Sequence, residues 1–153
     1  MSTIGKEIRL KRVIDGYGVS VICALDHGMT SPVYLNGLSD IRKRAKEAIL
    51  GGANVLMLGR KMAELCVSEF EKSTSLAFML SAAAAKCPTC NWITEIASVD
   101  EALHIGADAV VVYVALSTER DREMLEFVAK VGARCTEVGM PFIAEAEYPS
   151  AYM

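Results

Sequence analysis

The chain has 153 residues, a formal net charge of −3 and a hydrophobic content of 52%. That hydrophobic content excludes a disordered protein, and the charge shows no basic surface for nucleic acid. The first 13 residues carry five charges, so they do not resemble a secretory signal. The longest weakly polar run, Leu76 to Ala85, is about half of the ~20 residues that span a bilayer. We therefore expect a cytoplasmic protein that contacts no membrane, with its five cysteines reduced.

The first half of the chain predicts alternating helices and short apolar strands, punctuated by glycine and turn residues. Ser39 is the predicted N-cap of the second helix, which Gly51 and Gly52 close. The predicted elements are a helix over Lys6–Ile14, a strand over Val19–Leu25, a helix to Leu50, a strand over Asn54–Leu58, a helix over Arg60–Lys72 and a strand over Leu76–Leu80.

The second half continues the same alternation. Ser98 and Glu101 form a capping-box pattern that begins a helix ending near Gly106. A strand over Asp108–Val114 follows, and then a long helix from Ser117 to Gly139. A last strand is predicted over Pro141–Tyr148. The apolar stripe of the long helix consists of Met124, Leu125, Val128, Val131, Cys135 and Val138.

This alternation predicts an α/β protein with a parallel sheet, because near-continuous apolar strands are typical of sheets buried on both faces. The five predicted strands begin about 30 residues apart on average, which is close to the ~31 residues per unit of a (β/α)₈ barrel. The pattern therefore predicts about five βα units of a partial barrel. A five-stranded doubly wound parallel sheet fits the same spacing and stays open as an alternative.

Chemistry-bearing residues cluster at two predicted strand ends, where α/β folds place their reactive groups. Asp26 and His27 close the first strand, and Glu145, Glu147 and Tyr148 lie at the end of the fifth. A carboxylate and a phenol at such positions could transfer protons on a bound carbonyl compound. The structural alternative is that Asp26 caps a loop and Tyr148 packs at the rim.

These residues also carry a resemblance that covers nearly the whole chain. The strand followed by Asp26-His27-Gly28, the Gly-Ala-Asn and Gly-Ala-Asp turns, and Gly139-Met140-Pro141 leading to Tyr148-Pro149 resemble archaeal-type class I fructose-bisphosphate aldolases. That family groups with the deoxyribose-phosphate aldolase-like barrels and includes amino-dideoxy-heptulosonate synthases.

The resemblance implies a Schiff-base aldolase that needs no cofactor and no metal, acting on a ketose phosphate such as fructose 1,6-bisphosphate. It implies that Asp26 orients the substrate and assists proton transfer, and that Tyr148 is the general acid or base. His27 and Glu147 would contribute to substrate binding.

The chain departs from the family where the nucleophile is expected. The family's Schiff-base lysine lies on the sixth strand, and its phosphate site follows the seventh and eighth strands. None of the eight lysines falls on a predicted strand. Tyr148-Pro149 is followed by Ser150-Ala151 instead of Arg-Gly, and Ala146 stands where some members have Trp. We therefore expect residues 1–153 to be an incomplete barrel domain, inactive alone, that forms homo-oligomers.

Two alternatives remain open at this stage. The chain could be a non-catalytic barrel fragment that oligomerises through an open sheet edge. Less favoured is a small redox or metal-binding domain using the C-x-x-C pattern of Cys87 and Cys90, because a zinc site usually needs a second pair of ligands and none is present.

Overall fold

The computed structural model describes residues 3–27, 35–83, 93–116 and 120–147. In these residues, five strands form one parallel sheet and two short strands form an antiparallel hairpin. The strands are β1 (Ile22–Ala24), β2 (Val55–Leu58), β3 (Ser75–Met79), β4 (Ser81–Ala83), β5 (Ile93–Glu95), β6 (Ala109–Ala115) and β7 (Phe142–Glu147). The helices are α1 (Ile4–Val13), α2 (Ile41–Leu50), α3 (Arg60–Cys66), α4 (Val99–His104) and α5 (Asp121–Val138), with 3-10 turns at Asn36–Leu38 and Val67–Glu69.

The order of strands in the parallel sheet decides between the two predicted folds. The order is β1-β2-β3-β6-β7, so each new parallel strand is added on the same side of the one before. A doubly wound sheet reverses this direction once and places helices on both faces. Right-handed crossovers that always proceed in one direction place their helices on a single face, as in a (β/α)₈ barrel. The partial barrel is therefore confirmed, and the doubly wound alternative is wrong.

The sheet separates two apolar clusters. Leu56, Phe78 and Val110 belong to the larger cluster, which packs against α2 to α5. Their strand neighbours point to the opposite face, because successive side chains of a strand alternate. That face, called the inner face below, carries a second cluster composed of Val13, Val55, Met57, Ala77, Met79, Ala109 and Val111, with Ala24 and Ile143 against it.

Helix α1 lies across the N-terminal ends of the strands. From the middle of the helix, Arg9 Nη1 donates to the carbonyl oxygen of Gly139 (3.3 Å), just before β7. At its end, Asn54 Nδ2 donates to the carbonyl oxygen of Val13 (2.9 Å), just before β2. Arg12 Nη1 reaches Asp108 Oδ1 (3.1 Å) before β6. The helix therefore spans this end of the sheet from β7 to β2.

Capping side chains accept hydrogen bonds from backbone N–H groups at the starts of α2 and α4. One of the two predicted caps is confirmed and the other is corrected. Ser98 Oγ accepts from Glu101 N (3.1 Å), which confirms the predicted cap of α4. The predicted cap at Ser39 is wrong, because Asp40 Oδ1 accepts from Lys43 N (3.1 Å) and is the N-cap of α2. Ser39 Oγ instead donates to the carbonyl oxygen of Asn36 (2.8 Å) in the preceding 3-10 turn.

Two element boundaries and one position that was expected to be buried also differ from prediction. Strand β1 starts at Ile22 and not at Val19, and α3 ends at Cys66, where the chain tightens into a 3-10 turn. On α5, Met124 is buried but Leu125 is 55% exposed, because it lies at the edge of the helical stripe. The predicted helix start at Ser117 falls outside the described residues.

The β4–β5 hairpin was not predicted. It branches from the sheet directly after β3, where Ser81 pairs with Glu95 in antiparallel register. Its strands have three residues each, too short to produce a clear alternating pattern. The hairpin lies at the C-terminal end of the sheet, beside the predicted site.

Candidate functional site

Asp26 occupies the position at which the sequence predicts a site. Leu25 extends the β1 ladder by donating from its backbone nitrogen to the carbonyl oxygen of Met57 (3.0 Å), and its side chain joins the helix-facing cluster. Strand alternation therefore assigns Asp26 to the inner face. Asp26 is 3% exposed, whereas the next residue, His27, is exposed. A buried carboxylate at a strand's C-terminal end is a candidate for catalysis.

Two further polar residues lie on the inner face at the same end of the sheet. Tyr113 follows Ala109 and Val111 at alternate positions of β6, and it is 9% exposed. Its register partner on β7 is Glu145, which is half-buried. Neighbouring strands lie about 4.8 Å apart, so the phenol and this carboxylate originate from adjacent positions of one face.

Ser81 links this pair to the hairpin. Its hydroxyl oxygen accepts from the backbone nitrogen of Tyr113 (2.9 Å), and the hydroxyl donates to the sulfur of Met79 (3.5 Å). Ser81 is fully buried. The side-chain hydrogen bond therefore holds β6 beside the point where β3 passes into the hairpin.

The inner face thus combines carboxylates and hydroxyls at the C-terminal ends of β1, β3, β6 and β7. Carboxylates and phenols accept and donate protons, so this set can support proton transfer and hydrogen bonding to a polyhydroxylated ligand. Sequence analysis placed Asp26 at this end and noted Glu145. It missed Ser81 and Tyr113, although the alternation Ala109, Val111, Tyr113 was a usable signal.

The side chains of four predicted positions lie outside what the structure describes. Tyr148 lies outside the described residues, as do Cys87 and Cys90. Glu147 is the last residue of β7 and is the register partner of Ala115. The predicted roles of Tyr148, Glu147 and His27 therefore stay predictions.

None of the described lysines lies on a strand. Five are exposed residues of α1, α2, α3 or α5, one is partly buried in α1, and one follows the turn after α3. They are Lys6, Lys11, Lys43, Lys46, Lys61, Lys72 and Lys130. Lys130 Nζ donates to Glu95 (2.8 Å), and Lys61 Nζ to Glu64 (2.6 Å), so both are paired on the surface. An amine nucleophile works best when it is desolvated, and exposed or ion-paired surface positions do not provide that environment.

The described cysteines are packing residues. Cys23, Cys66 and Cys135 are free thiols, and Cys66 and Cys135 are buried. Burial raises the pKa of the Cys135 thiol to about 11 and also raises the pKa of Cys66. Such thiols are protonated at neutral pH and are weak nucleophiles. In the part of the chain that the structure describes, no three His, Cys, Asp or Glu residues form a metal-binding group.

A cavity of about 440 Å³ lies elsewhere, on the helix-covered face. Its walls include Val67 and Phe70 after α3, Leu76 at the start of β3, and Ile105 and Asp108 before β6. These strand positions are N-terminal, at the opposite end from Asp26. The cavity is therefore separate from the polar inner-face cluster.

Among the described helices, none has the length and apolar content needed to cross a bilayer.

Comparison with solved structures supports the barrel geometry. The chain superposes on an archaeal fructose 1,6-bisphosphate aldolase with a TM-score of 0.75 and 22% identity, covering 92% of this chain and 56% of that one. A fructose-bisphosphate aldolase from Slackia heliotrinireducens DSM 20476 gives a TM-score of 0.79 at 14% identity, covering 94% of this chain and 50% of the other. At these identities the likeness concerns the fold.

Two of the similar proteins are synthases by name. A 2-amino-3,7-dideoxy-D-threo-hept-6-ulosonate synthase of Archaeoglobus fulgidus is 26% identical over 141 residues, which is 92% of this chain and 53% of the relative. A 2-amino-4,5-dihydroxy-6-oxo-7-(phosphonooxy)heptanoate synthase of Streptomyces griseus is 37% identical over 76 residues, which is 50% of this chain and 28% of the relative. The chain thus spans about half the length of the Archaeoglobus relative. Its match to the Streptomyces relative covers 28% of that protein.

The strongest assignment comes from the family model. The model of the DeoC/LacD family aldolases matches residues 20–151, which run from the start of the first βα unit to the end of the fifth strand and beyond. This range contains Asp26, Ser81, Tyr113 and Glu145. The chain therefore belongs to the DeoC/LacD family of aldolases.

Proposed function

We propose that this chain contributes the first five βα units of a class I aldolase site, which makes or cleaves a carbon–carbon bond of a ketose phosphate such as fructose 1,6-bisphosphate. The observation that carries the proposal is the buried Asp26 carboxylate at the C-terminal end of β1. It shares the inner face with Ser81, Tyr113 and Glu145 in a chain of the aldolase family.

Cleavage by a class I aldolase requires an amine nucleophile, a base, and water that releases the second product from the amine. A lysine amine adds to the substrate ketone and loses water, which forms an iminium. For cleavage, a base removes the proton of the hydroxyl on the β-carbon, and the electron pair of the breaking carbon–carbon bond moves toward the iminium. The products are an aldehyde and an enamine. A proton then adds to the enamine carbon, and water hydrolyses the iminium to restore the amine.

Asp26 fits the proton-transfer and orienting role in this sequence. Its burial limits competition from water, which strengthens a hydrogen bond to a substrate hydroxyl. Glu145 and Tyr113 fit hydrogen bonding to the remaining hydroxyls. Tyr148 is proposed as a general acid or base on the resemblance of its Tyr-Pro element alone.

We propose further that the Schiff-base lysine is supplied from outside this chain, so that the chain alone is inactive. The positions of the seven described lysines on helices or in a turn support this reading. A cytoplasmic location is proposed as well, because Cys23, Cys66 and Cys135 are free thiols and reduced cysteines are typical of that compartment.

Borohydride trapping with fructose 1,6-bisphosphate tests the proposal. Purified chain is incubated with the ketose, reduced and weighed by intact mass spectrometry. The same assay is run on a fusion of this chain to the part of the Archaeoglobus relative beyond its matched region. We expect no adduct on the chain alone and a stable adduct on the fusion.

Two matched variants of the fusion test the role of Asp26. Asp26→Asn should slow cleavage of fructose 1,6-bisphosphate by the fusion at least tenfold, because proton-transfer groups contribute roughly 10²–10⁴-fold. Asp108→Asn, also a buried aspartate but located before β6 at the other end of the sheet, should leave the cleavage rate unchanged. An adduct on the chain alone would refute the external lysine, and equal cleavage rates for both variants would refute the role of Asp26.

A further inference from the structure

The cavity of about 440 Å³ on the helix-covered face is a feature that the proposed aldolase chemistry does not use. Its walls come from α3 and the turn after it, from the start of β3, and from the segment that joins α4 to β6. The strands that these segments connect, β2, β3 and β6, each have a neighbour on both sides in the sheet. The cavity is therefore formed by consecutive units in the interior of the sheet, and its walls do not depend on strands added at either edge.

The middle of the cavity is apolar. Ala63 and Leu76 are buried, Phe70 and Ile105 are half-buried, and Val67 is 65% exposed. The volume lies within the roughly 300–1,000 Å³ of small-molecule sites, which are mostly apolar with a few polar groups. A bound ring or alkyl chain would remove the Val67 and Phe70 side chains from water, which is favourable. The middle of the cavity therefore suits an apolar group of small-molecule size.

The charged side chains that line the cavity are mostly acidic. Glu64, Glu71 and Asp108 supply carboxylates, and among the described lining residues Arg60 supplies the one cation. Arg60 is already paired with Glu101 of α4 and lies 3.7 Å from Glu64 Oε1. An anionic ligand would have to compete with both carboxylates for this guanidinium. The charges therefore favour a cationic ligand over an anionic one.

Glu71 differs from the other two carboxylates in its partners. Asp108 Oδ1 accepts from Arg12 (3.1 Å), and Glu64 is paired with basic residues of its own helix. Within the part of the chain that the structure describes, the exposed Glu71 carboxylate has no hydrogen bond or ion pair. Its backbone nitrogen donates to Thr74 Oγ1 (3.1 Å), which orders the turn that carries it. A cation bound at this end of the cavity would supply the partner that Glu71 lacks.

We propose that this cavity binds a small organic ammonium ion, with its apolar body between α3 and α4 and its protonated amine beside Glu71. Phe70 offers an aromatic ring within the same walls, and aromatic faces attract cations. A neutral molecule of the same shape would fill the apolar middle but would leave the Glu71 carboxylate unused. The proposal does not rest on the aldolase function, because the cavity and Asp26 lie at opposite ends of the sheet.

NMR titration of the ¹⁵N-labelled full chain at neutral pH and low salt tests the proposal. The probes are 2-phenylethylamine, 2-phenylethanol and 3-phenylpropanoate, which share a ring and a two-carbon linker and differ in the charge of the end group. We expect saturable shifts of the Val67, Thr74 and Gly106 amides. The amine should bind most tightly, the alcohol less tightly and the carboxylate least.

Three variants separate the charge from the apolar walls. Glu71→Gln should weaken binding of the amine about two- to fivefold, the range of an exposed ion pair, and leave binding of the alcohol unchanged. Glu126→Gln removes the same charge from the surface of α5, outside the cavity walls, and should change neither affinity. Ile105→Ala shortens an apolar wall and should weaken both ligands alike. Circular dichroism establishes that each variant is folded.

Several results would overturn this assignment. One is the absence of saturable binding by the amine. Another is a set of amide shifts that maps to a different surface. Binding of the alcohol or the carboxylate as tightly as the amine would remove the role of charge. A Glu71→Gln variant that binds the amine as tightly as the parent would do the same.

Discussion

Replacing Ser81 by alanine should destabilise the sheet at the candidate site. Ser81 is fully buried, and its oxygen accepts the hydrogen bond of the Tyr113 backbone nitrogen at 2.9 Å. The substitution removes one small polar group and leaves a buried N–H with no acceptor at that position. An unsatisfied buried donor costs about 1–3 kcal/mol, which is more than the net value of the hydrogen bond itself.

The surroundings of Ser81 narrow the expected loss in the free energy of unfolding. The hydroxyl also donates to the sulfur of Met79 at 3.5 Å, but sulfur is a weak acceptor and this contact adds little. The cavity left by one oxygen atom is small. We therefore expect a loss of about 2 kcal/mol in the free energy of unfolding, which corresponds to a fall of roughly 4–8 °C in Tm for a domain of this size.

Urea denaturation followed by circular dichroism measures this change. An unchanged m-value is evidence that the variant and the parent unfold between comparable folded and unfolded states. Ser39→Ala is the control, because Ser39 is exposed and its hydroxyl bonds only within a local turn. The control should change the free energy by less than ~0.5 kcal/mol. If Ser81→Ala is no more destabilising than the control, the role assigned to Ser81 is refuted.

Three other predictions concern stability. Gly139→Ala should cost about 1–2 kcal/mol by thermal unfolding, because φ is +69° and an added Cβ would clash with Thr3 Oγ1, whereas Gly16→Ala, with open space around it, should be neutral. Burial raises the pKa of Cys135 from 9.0 to about 11, so the folded state holds this proton more tightly. The stability advantage of the parent over Cys135→Ala should therefore fall by about 2 kcal/mol between pH 9 and pH 11 in urea titrations, and an unchanged difference would count against the shift. Asp108→Ala should cost about 1–3 kcal/mol in the same assay, since Asp108 Oδ2 accepts from the buried Leu76 N, and a neutral result would contradict that contact.

Much of the secondary structure was predictable because its signals are local. The run from Ala109 to Val114 is apolar and β-branched, and it forms β6 with every residue buried. Ser98 caps α4 through a hydrogen bond to a residue three positions away, a relation visible in the sequence itself. The choice of Ser39 over Asp40 failed because both residue types cap helices, and the geometry of the 3-10 turn decides which one does.

The candidate site was predictable only in part. Asp26 could be placed because it directly follows an apolar strand, and parallel strands end at the same edge. Ser81 and Tyr113 are 32 residues apart, and their hydrogen bond depends on where β3 leaves the sheet. Strand alternation alone groups Tyr113 with Ala109 and Val111 on one face, but the pairing of Tyr113 with Glu145 depends on the register between β6 and β7.

For this protein, the sequence by itself determined the alternation of helices and strands, the aldolase resemblance and the position of Asp26, since all three rest on short-range patterns. Only the tertiary structure decided between a partial barrel and a doubly wound sheet, because strand order arises from pairing between distant segments. It also decided which residues join Asp26 on the inner face. Those outcomes depend on packing of the whole chain, which no local pattern specifies.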